Sequence, residues 1–77
     1  MWYVYIVECS DGTLYTGITT DVNKRIETHN KGKGAKYTKT RLPVVLRASF
    51  DGFDKSSAAK EEYRIKQLTR KEKLTYV

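Results

Sequence analysis

Two runs of strand-forming residues around one tight turn constrain this chain more than any other feature. Trp2 to Val7 are all aromatic or β-branched, the composition of a strand buried on both faces. Ser10-Asp11-Gly12 signals a turn, and Thr13 to Ile18 read as a second strand, so the chain opens on a hairpin. Loop length then decides which side chains share a face. A two-residue Asp-Gly loop would pair Tyr5 with Ile18 and set Tyr5 and Tyr15 on opposite faces. A three-residue loop with Gly12 in the left-handed region would pair Cys9 with Thr13, Tyr5 with Gly17 and Val7 with Tyr15. We favour the second register, in which Tyr3, Tyr5, Val7, Tyr15 and Gly17 lie on one face. The bare backbone of Gly17 then leaves room beside the Tyr5 ring.

The rest of the chain supplies helices and one more strand. Thr20 or Asp21 can cap a helix running to about Asn30, with Val22, Ile26 and His29 facing the sheet. Gly32 and Gly34 end it. Residues 31–42 read as a basic, Gly-containing loop. Pro43 opens a third strand over Val44 to Phe50, and Asp51-Gly52 turns the chain again. Asp54, Ser56 or Ser57 caps a second helix reaching about Leu68. The capping-box spacing of Thr69 and Glu72 starts a short last helix. The expectation is one α/β (α+β) domain over residues 1–77, a small three-stranded antiparallel sheet flanked by helices in the order β-β-α-β-α-α.

Charge is distributed unevenly along this scaffold. The chain has 15 Lys and Arg against 9 Asp and Glu, a net charge of +6, yet no basic residue precedes Lys24. Lys31, Lys33, Lys36, Lys39 and Arg41 follow one another with no acidic residue between them. A one-sided basic surface of this kind attracts phosphate backbones. The single cysteine, Cys9, permits no intrachain disulfide, and it reads as a buried thiol. No apolar run approaches the roughly 20 residues of a membrane span. The N-terminus lacks the pattern of a secretory signal, so we expect a cytoplasmic protein with no membrane partner.

Few residues can carry chemistry. In the second helix Ala58, Ala59, Ile65 and Leu68 mark the buried side, with Glu62 near the middle of that stripe and Glu61 toward its edge. A carboxylate there needs a partner: a Lys or Arg in an ion pair, water at the helix rim, or a metal ion in a cleft. Arg25 and His29 stand one turn apart on the first helix. Each also has an ordinary reading, as a solvated arginine and a boundary histidine. A catalytic role for Tyr5 or Tyr15 requires a partner able to take the phenol proton. One His and one Cys cannot build a zinc site, and nothing suggests a Ser-His-Asp arrangement.

These residues occur together and in a familiar order. Tyr3-Val4-Tyr5 followed by Tyr15-Thr16-Gly17 resembles the two motifs that name the GIY-YIG nuclease superfamily. Arg25 stands where that family carries its helix arginine, and His29 where it carries His or Tyr. Glu62, within AAKEEYRIK, matches its metal-binding glutamate. GITTDVNKRIETHN is similar to the same stretch of structure-specific branched-DNA endonucleases. The resemblance spans Trp2 to about Lys73 and points to the small single-domain branch. Two departures stand out: Tyr3 replaces the opening Gly, and Ile18 stands where many members carry a phosphate-contacting Lys.

The resemblance implies phosphodiester hydrolysis in DNA, which we favour over RNA as the partner, with one Mg²⁺ or Mn²⁺ ion. It gives the metal to Glu62, the nonbridging oxygens to Arg25, and the proton of the attacking water to Tyr5 or Tyr15, with His29 sharing it. Lys31, Lys33, Lys36, Lys39 and Arg41 would hold the backbone without reading bases; with no second specificity domain in the sequence, a partner subunit is one candidate source of specificity. Two other functions fit the same residues: a nucleic-acid-binding module of this fold without turnover, and a protein-interaction domain. The first predicts tight binding without cleavage, the second no salt-dependent affinity for nucleic acid.

Overall fold

A computed structural model describes all residues, Met1–Val77. Strands β1 (Trp2–Glu8) and β2 (Leu14–Thr19) form the hairpin in the three-residue-loop register. Tyr5 lies opposite Gly17, and Val7 opposite Tyr15. The turn closes with Cys9 N donating to Thr13 O at 2.8 Å and Gly12 N to Cys9 O at 3.0 Å. Gly12 takes φ +83°, which a Cβ would oppose. Asp11 accepts from the backbone N and the hydroxyl of Thr13 at 3.1 and 2.6 Å, fixing the exit of the turn.

Strand β3 (Val45–Phe53) adds antiparallel to the other edge of β1, giving the order β2-β1-β3. Its position makes β1 the central strand, which is why Val4, Tyr5, Ile6 and Val7 are all buried. The third strand differs from expectation at both ends. It does not turn at Asp51-Gly52: Gly52 takes φ +88°, and the pairing shifts between Val4↔Phe50 and Trp2↔Phe53. The dipeptide is therefore a bulge within a longer strand. Val44 lies just outside the strand, where Asn30 holds it. Its N donates to Asn30 Oδ1 at 2.7 Å, and Asn30 Nδ2 donates to its O at 3.1 Å.

Helix α1 (Val22–Asn30) starts at Asp21, whose side chain accepts from Lys24 N. Within the expected basic loop the chain forms one helical turn, α2 (Lys36–Lys39). Helix α3 (Lys55–Lys66) carries the Asp54–Ser57 capping box, and α4 (Arg70–Lys73) the Thr69–Glu72 box before a 3₁₀ turn at Leu74–Tyr76. The two faces of the sheet have separate cores. Ala58 and Ile65 of α3 pack on Val4, Ile6 and Leu14. On the other face Tyr5, Val7, Cys9 and Val44 pack with Tyr15, Ile26 and Leu42. Arg70 donates to Gly12 O at 3.1 and 3.0 Å, tying α4 to the hairpin turn. No helix is long and apolar enough to cross a membrane.

Candidate active site

The register of the hairpin puts the Tyr5 ring under α1. Tyr5 is 1% exposed and His29 fully buried, and their side chains meet with the Tyr5 hydroxyl 2.7 Å from His29 Nε2. The direction of this bond follows from the group on the far side of the imidazole. Thr38, buried in α2, donates its only hydroxyl proton to Ala35 O at 2.9 Å. It must then accept from His29 Nδ1, at 2.8 Å. That places the imidazole proton on Nδ1 and turns the Nε2 lone pair toward Tyr5, so the phenol donates. The series Tyr5 → His29 → Thr38 → Ala35 is a directed chain of hydrogen bonds.

Two glycines make the series possible. A Cβ on Gly17 would lie 2.4 Å from the Tyr5 hydroxyl oxygen, and one on Gly34 would lie 2.2 Å from His29 Nδ1. Arg25 approaches from α1, its Nε donating to the Tyr5 hydroxyl at 3.4 Å. That is its one side-chain hydrogen bond in the structure, and no carboxylate pairs with it. A half-buried guanidinium without an anion leaves its remaining N–H donors for one that arrives.

Burial raises the Tyr5 phenol pKa, the bond and charge of Arg25 oppose the rise, and the charges of Tyr15 and Glu62 add to it. Burial lowers the His29 pKa from its ordinary 6.5, and the Arg25 charge lowers it further. His29 is therefore neutral at pH 7 and able to accept a proton. Linkage gives a testable consequence. The folded His29 pKa lies below the unfolded value, so the unfolded chain binds the extra proton first as pH falls. Stability should drop as pH falls from about 6.5 through the lowered folded value. Thermal melts between pH 7 and pH 4.5 should show that slope, and His29→Gln should flatten it. An unchanged slope in the variant would assign the acid sensitivity to other groups.

Tyr15 contributes its ring. It stacks on Tyr37 at 5.8 Å between centroids and meets His29 edge-on at 5.7 Å. On α3 the structure corrects the reading of the buried stripe. Ala59 is exposed and only Ala58 and Ile65 are buried, so Glu61 and Glu62 straddle the stripe, with side chains 28% and 22% exposed. Glu61 pairs with Arg64, which also bonds Tyr76. Glu62 turns the other way, toward edge strand β2. Its Oε2 is 3.2 Å from Lys66 Nζ, and that ammonium stands 5.3 Å from the centroid of the Tyr15 ring. Although α3 packs on the opposite face from α1, the Lys66 ammonium, paired with Glu62, thus comes beside the Tyr15 ring. The Glu62 charge also bears on the Tyr5 phenol.

The basic segment does not act as one unit. Lys31 pairs with Glu27 at 2.8 Å. Arg41 pairs with Asp11 at 3.0 Å and lies 4.1 Å over the Tyr37 ring. Lys33, Lys36 and Lys39 stay exposed and form no ion pair. A shallow groove of about 410 Å³ beside the first turn of α1, lined by Tyr3, Asp21, Leu46 and Ser49 among others, holds none of the groups above and no cation. The candidate residues gather at the Tyr5 cluster instead. Gly34, Tyr37, Thr38 and Lys66 belong to this cluster and were not singled out as site residues by sequence, where Gly34 was read only as a helix stop; the i+4 spacing of Lys66 from Glu62 was the one visible signal.

No three His, Cys, Asp or Glu side chains converge, so the protein alone builds no closed metal cage. Mg²⁺ and its relatives need none, since they keep several waters and bind one or two carboxylates plus a substrate phosphate. A single half-buried carboxylate suits that mode of binding, and here Glu62 has the Lys66 ammonium as its counter-charge, the ion pair that the sequence offered as one of its readings.

The family described as "GIY-YIG catalytic domain" matches residues 1–75. A UPF0213 protein of Streptococcus agalactiae is 59% identical over 75 residues, covering 97% of this chain and 85% of that protein. One of Halobacterium salinarum is 58% identical, covering 95% of each. The solution NMR structure of a UPF0213 protein from Bacillus halodurans superposes with a TM-score of 0.60 at 50% identity, covering 97% of this chain and 81% of that one. A protein of E. faecalis gives 0.63 at 41% identity, covering 96% and 79%.

Proposed function

Since this chain belongs to the GIY-YIG catalytic-domain family of nucleases, we propose that it is an endonuclease that hydrolyses phosphodiester bonds in DNA with one Mg²⁺ or Mn²⁺ ion. The observation that carries the reading is Arg25: a half-buried guanidinium with no carboxylate, bonded to a phenol whose proton points at a neutral imidazole. A phosphodiester supplies the missing anion. A water attacking its phosphorus must lose a proton, and Tyr5 and His29 offer a route for it.

Tyr5, rather than Tyr15, takes the proton of the water. The Tyr5 proton already lies in a 2.7 Å bond to an acceptor nitrogen. As it passes to His29 Nε2, the phenol oxygen takes the proton of the water. Arg25 binds the nonbridging oxygens and offsets the charge that grows on them. Thr38 keeps the Nε2 lone pair aimed at Tyr5 throughout. Glu62 holds the divalent ion, which when bound supplies Lewis-acid polarisation of the phosphate and charge for the leaving oxygen. Lys33, Lys36 and Lys39 carry the flanking backbone by charge. A partner subunit supplies any preference for substrate structure.

The test is nicking of supercoiled plasmid and of branched and linear oligonucleotides with Mn²⁺. Glu62→Gln should abolish cleavage, keep the parental melting temperature within about 3 °C, and bind DNA in EDTA at least as tightly as the parent. A Glu62→Gln protein that nicks at the parental rate would remove the metal assignment. A second reading rests on Ile18, which packs against the α3-side core, so β2 presents no ammonium to a phosphate. On that reading the domain binds nucleic acid without turnover, and tight binding with no cleavage by the parent would establish it.

A further inference from the structure

Lys66 is the one basic side chain that touches the carboxylate assigned to the metal. Its ammonium lies 3.2 Å from Glu62 Oε2 and 5.3 Å from the centroid of the Tyr15 ring. It therefore stands between the metal-binding carboxylate and the tyrosine face. Its side chain is 42% exposed against 22% for Glu62, so the carboxylate is the inner partner and the ammonium keeps an open outer side. The other carboxylate on this stripe, Glu61, pairs with Arg64, whose guanidinium also donates to the Tyr76 hydroxyl. One helix thus carries two acid–base pairs, and only one of them faces the site.

We propose that Lys66 is a resident counter-ion of the metal site and a phosphate ligand in turn. It neutralises Glu62 while the site holds no divalent ion, and it gives up the carboxylate and swings to a phosphate oxygen of the DNA when the ion arrives. The flexible four-carbon stem makes such an exchange cheap, and a compact ammonium serves either anion. The ammonium that β2 lacks at Ile18 is thereby delivered from α3. This inference rests on the metal reading above.

The experiment uses the full chain and two readouts other than cleavage. Mn²⁺ affinity of the free protein is measured from the electron paramagnetic resonance signal of unbound Mn²⁺, for the parent, Lys66→Met, Arg64→Met and Glu62→Gln. Lys66→Met should tighten Mn²⁺ binding by about fivefold, the upper range for a partly exposed pair. Arg64→Met removes the same charge from the same helix and should change it by less than about twofold. DNA affinity is then measured by fluorescence anisotropy in EDTA. Glu62→Gln should tighten binding by freeing Lys66, and the gain should vanish in Glu62→Gln/Lys66→Met, with a salt slope lower by about one.

Equal effects of Lys66→Met and Arg64→Met on Mn²⁺ would overturn the proposal, as would a DNA gain in Glu62→Gln that survives loss of Lys66. If Glu62→Gln loses Mn²⁺ but Lys66→Met binds it like the parent, the exchange fails and the metal site stands. If neither the parent nor Lys66→Met binds Mn²⁺, both fail.

Discussion

Replacing Tyr5 by Phe should lower the rate of strand cleavage by about 10²- to 10⁴-fold, the range for loss of a positioned general base, while the protein still folds. The substitution removes one oxygen from a fully packed ring, so the core of Tyr5, Val7, Cys9 and Val44 keeps its shape. What it leaves behind is an Nε2 lone pair on buried His29 and one unmatched N–H on Arg25, the two groups that the hydroxyl bonds at 2.7 and 3.4 Å. Unsatisfied buried groups cost about 1–3 kcal/mol each, and a 3.4 Å bond sits at the low end. For a chain of this size that lowers the melting temperature by roughly 5–15 °C. Tyr15→Phe is the comparison. Tyr15 works through stacking on Tyr37 and edge contact with His29, which Phe preserves, so cleavage should fall by less than about tenfold. Should Tyr15→Phe be the more damaging change, the base assignment is reversed and the path through His29 is structural.

The contrast between the two tyrosines shows what sequence carries and what it does not. Strand periodicity and a glycine turn are local, so the pairing of Tyr5 with Gly17 was legible before any coordinates. The Thr69 cap was legible for the same reason, and Asp21 and Asp54 stood among the two or three candidates at their helix starts, each lying within a turn of the backbone it satisfies. What failed was non-local. Ala59 looks apolar but is exposed, because small apolar residues say little about burial. Asp51-Gly52 reads as a turn, and only the pairing with β1 makes it a bulge. Arg41 reads as one of five cations for a phosphate backbone, and its pairing with Asp11 was not visible because that carboxylate lies in the hairpin turn, distant in the chain. Thr38 was invisible because α2 is a single turn with no apolar stripe. Nothing near it in sequence announces that it faces His29.

Gly34→Ala should be the most destructive single methyl in the molecule, and it isolates the geometry of the proton path from its chemistry. The added Cβ would lie 2.2 Å from His29 Nδ1, 2.8 Å from Cγ and 2.9 Å from the His29 Cα. A collision with the tip of a flexible side chain relaxes cheaply, but here the backbone is struck too. The ring cannot turn away without breaking a bond, because Tyr5 holds Nε2 at 2.7 Å and Thr38 holds Nδ1 at 2.8 Å. Either α2 moves off α1 or His29 leaves both partners. Overpacking of this kind costs about 1–3 kcal/mol, and a lost buried bond adds about 1 kcal/mol. The melting temperature should therefore fall by roughly 10–20 °C, with cleavage lost alongside. A companion change separates the two effects. Thr38→Ser keeps a hydroxyl to accept from Nδ1 and donate to Ala35, so it should retain cleavage within about tenfold. Thr38→Val is close in shape but has no such acceptor, so the Nδ1 proton loses its anchor and the tautomer its preference. Cleavage by Thr38→Val should fall well below that of Thr38→Ser, even where their melting temperatures agree. If Gly34→Ala melts like the parent and cleaves like it, α2 does not clamp His29, and the directed path from Tyr5 has no fixed end.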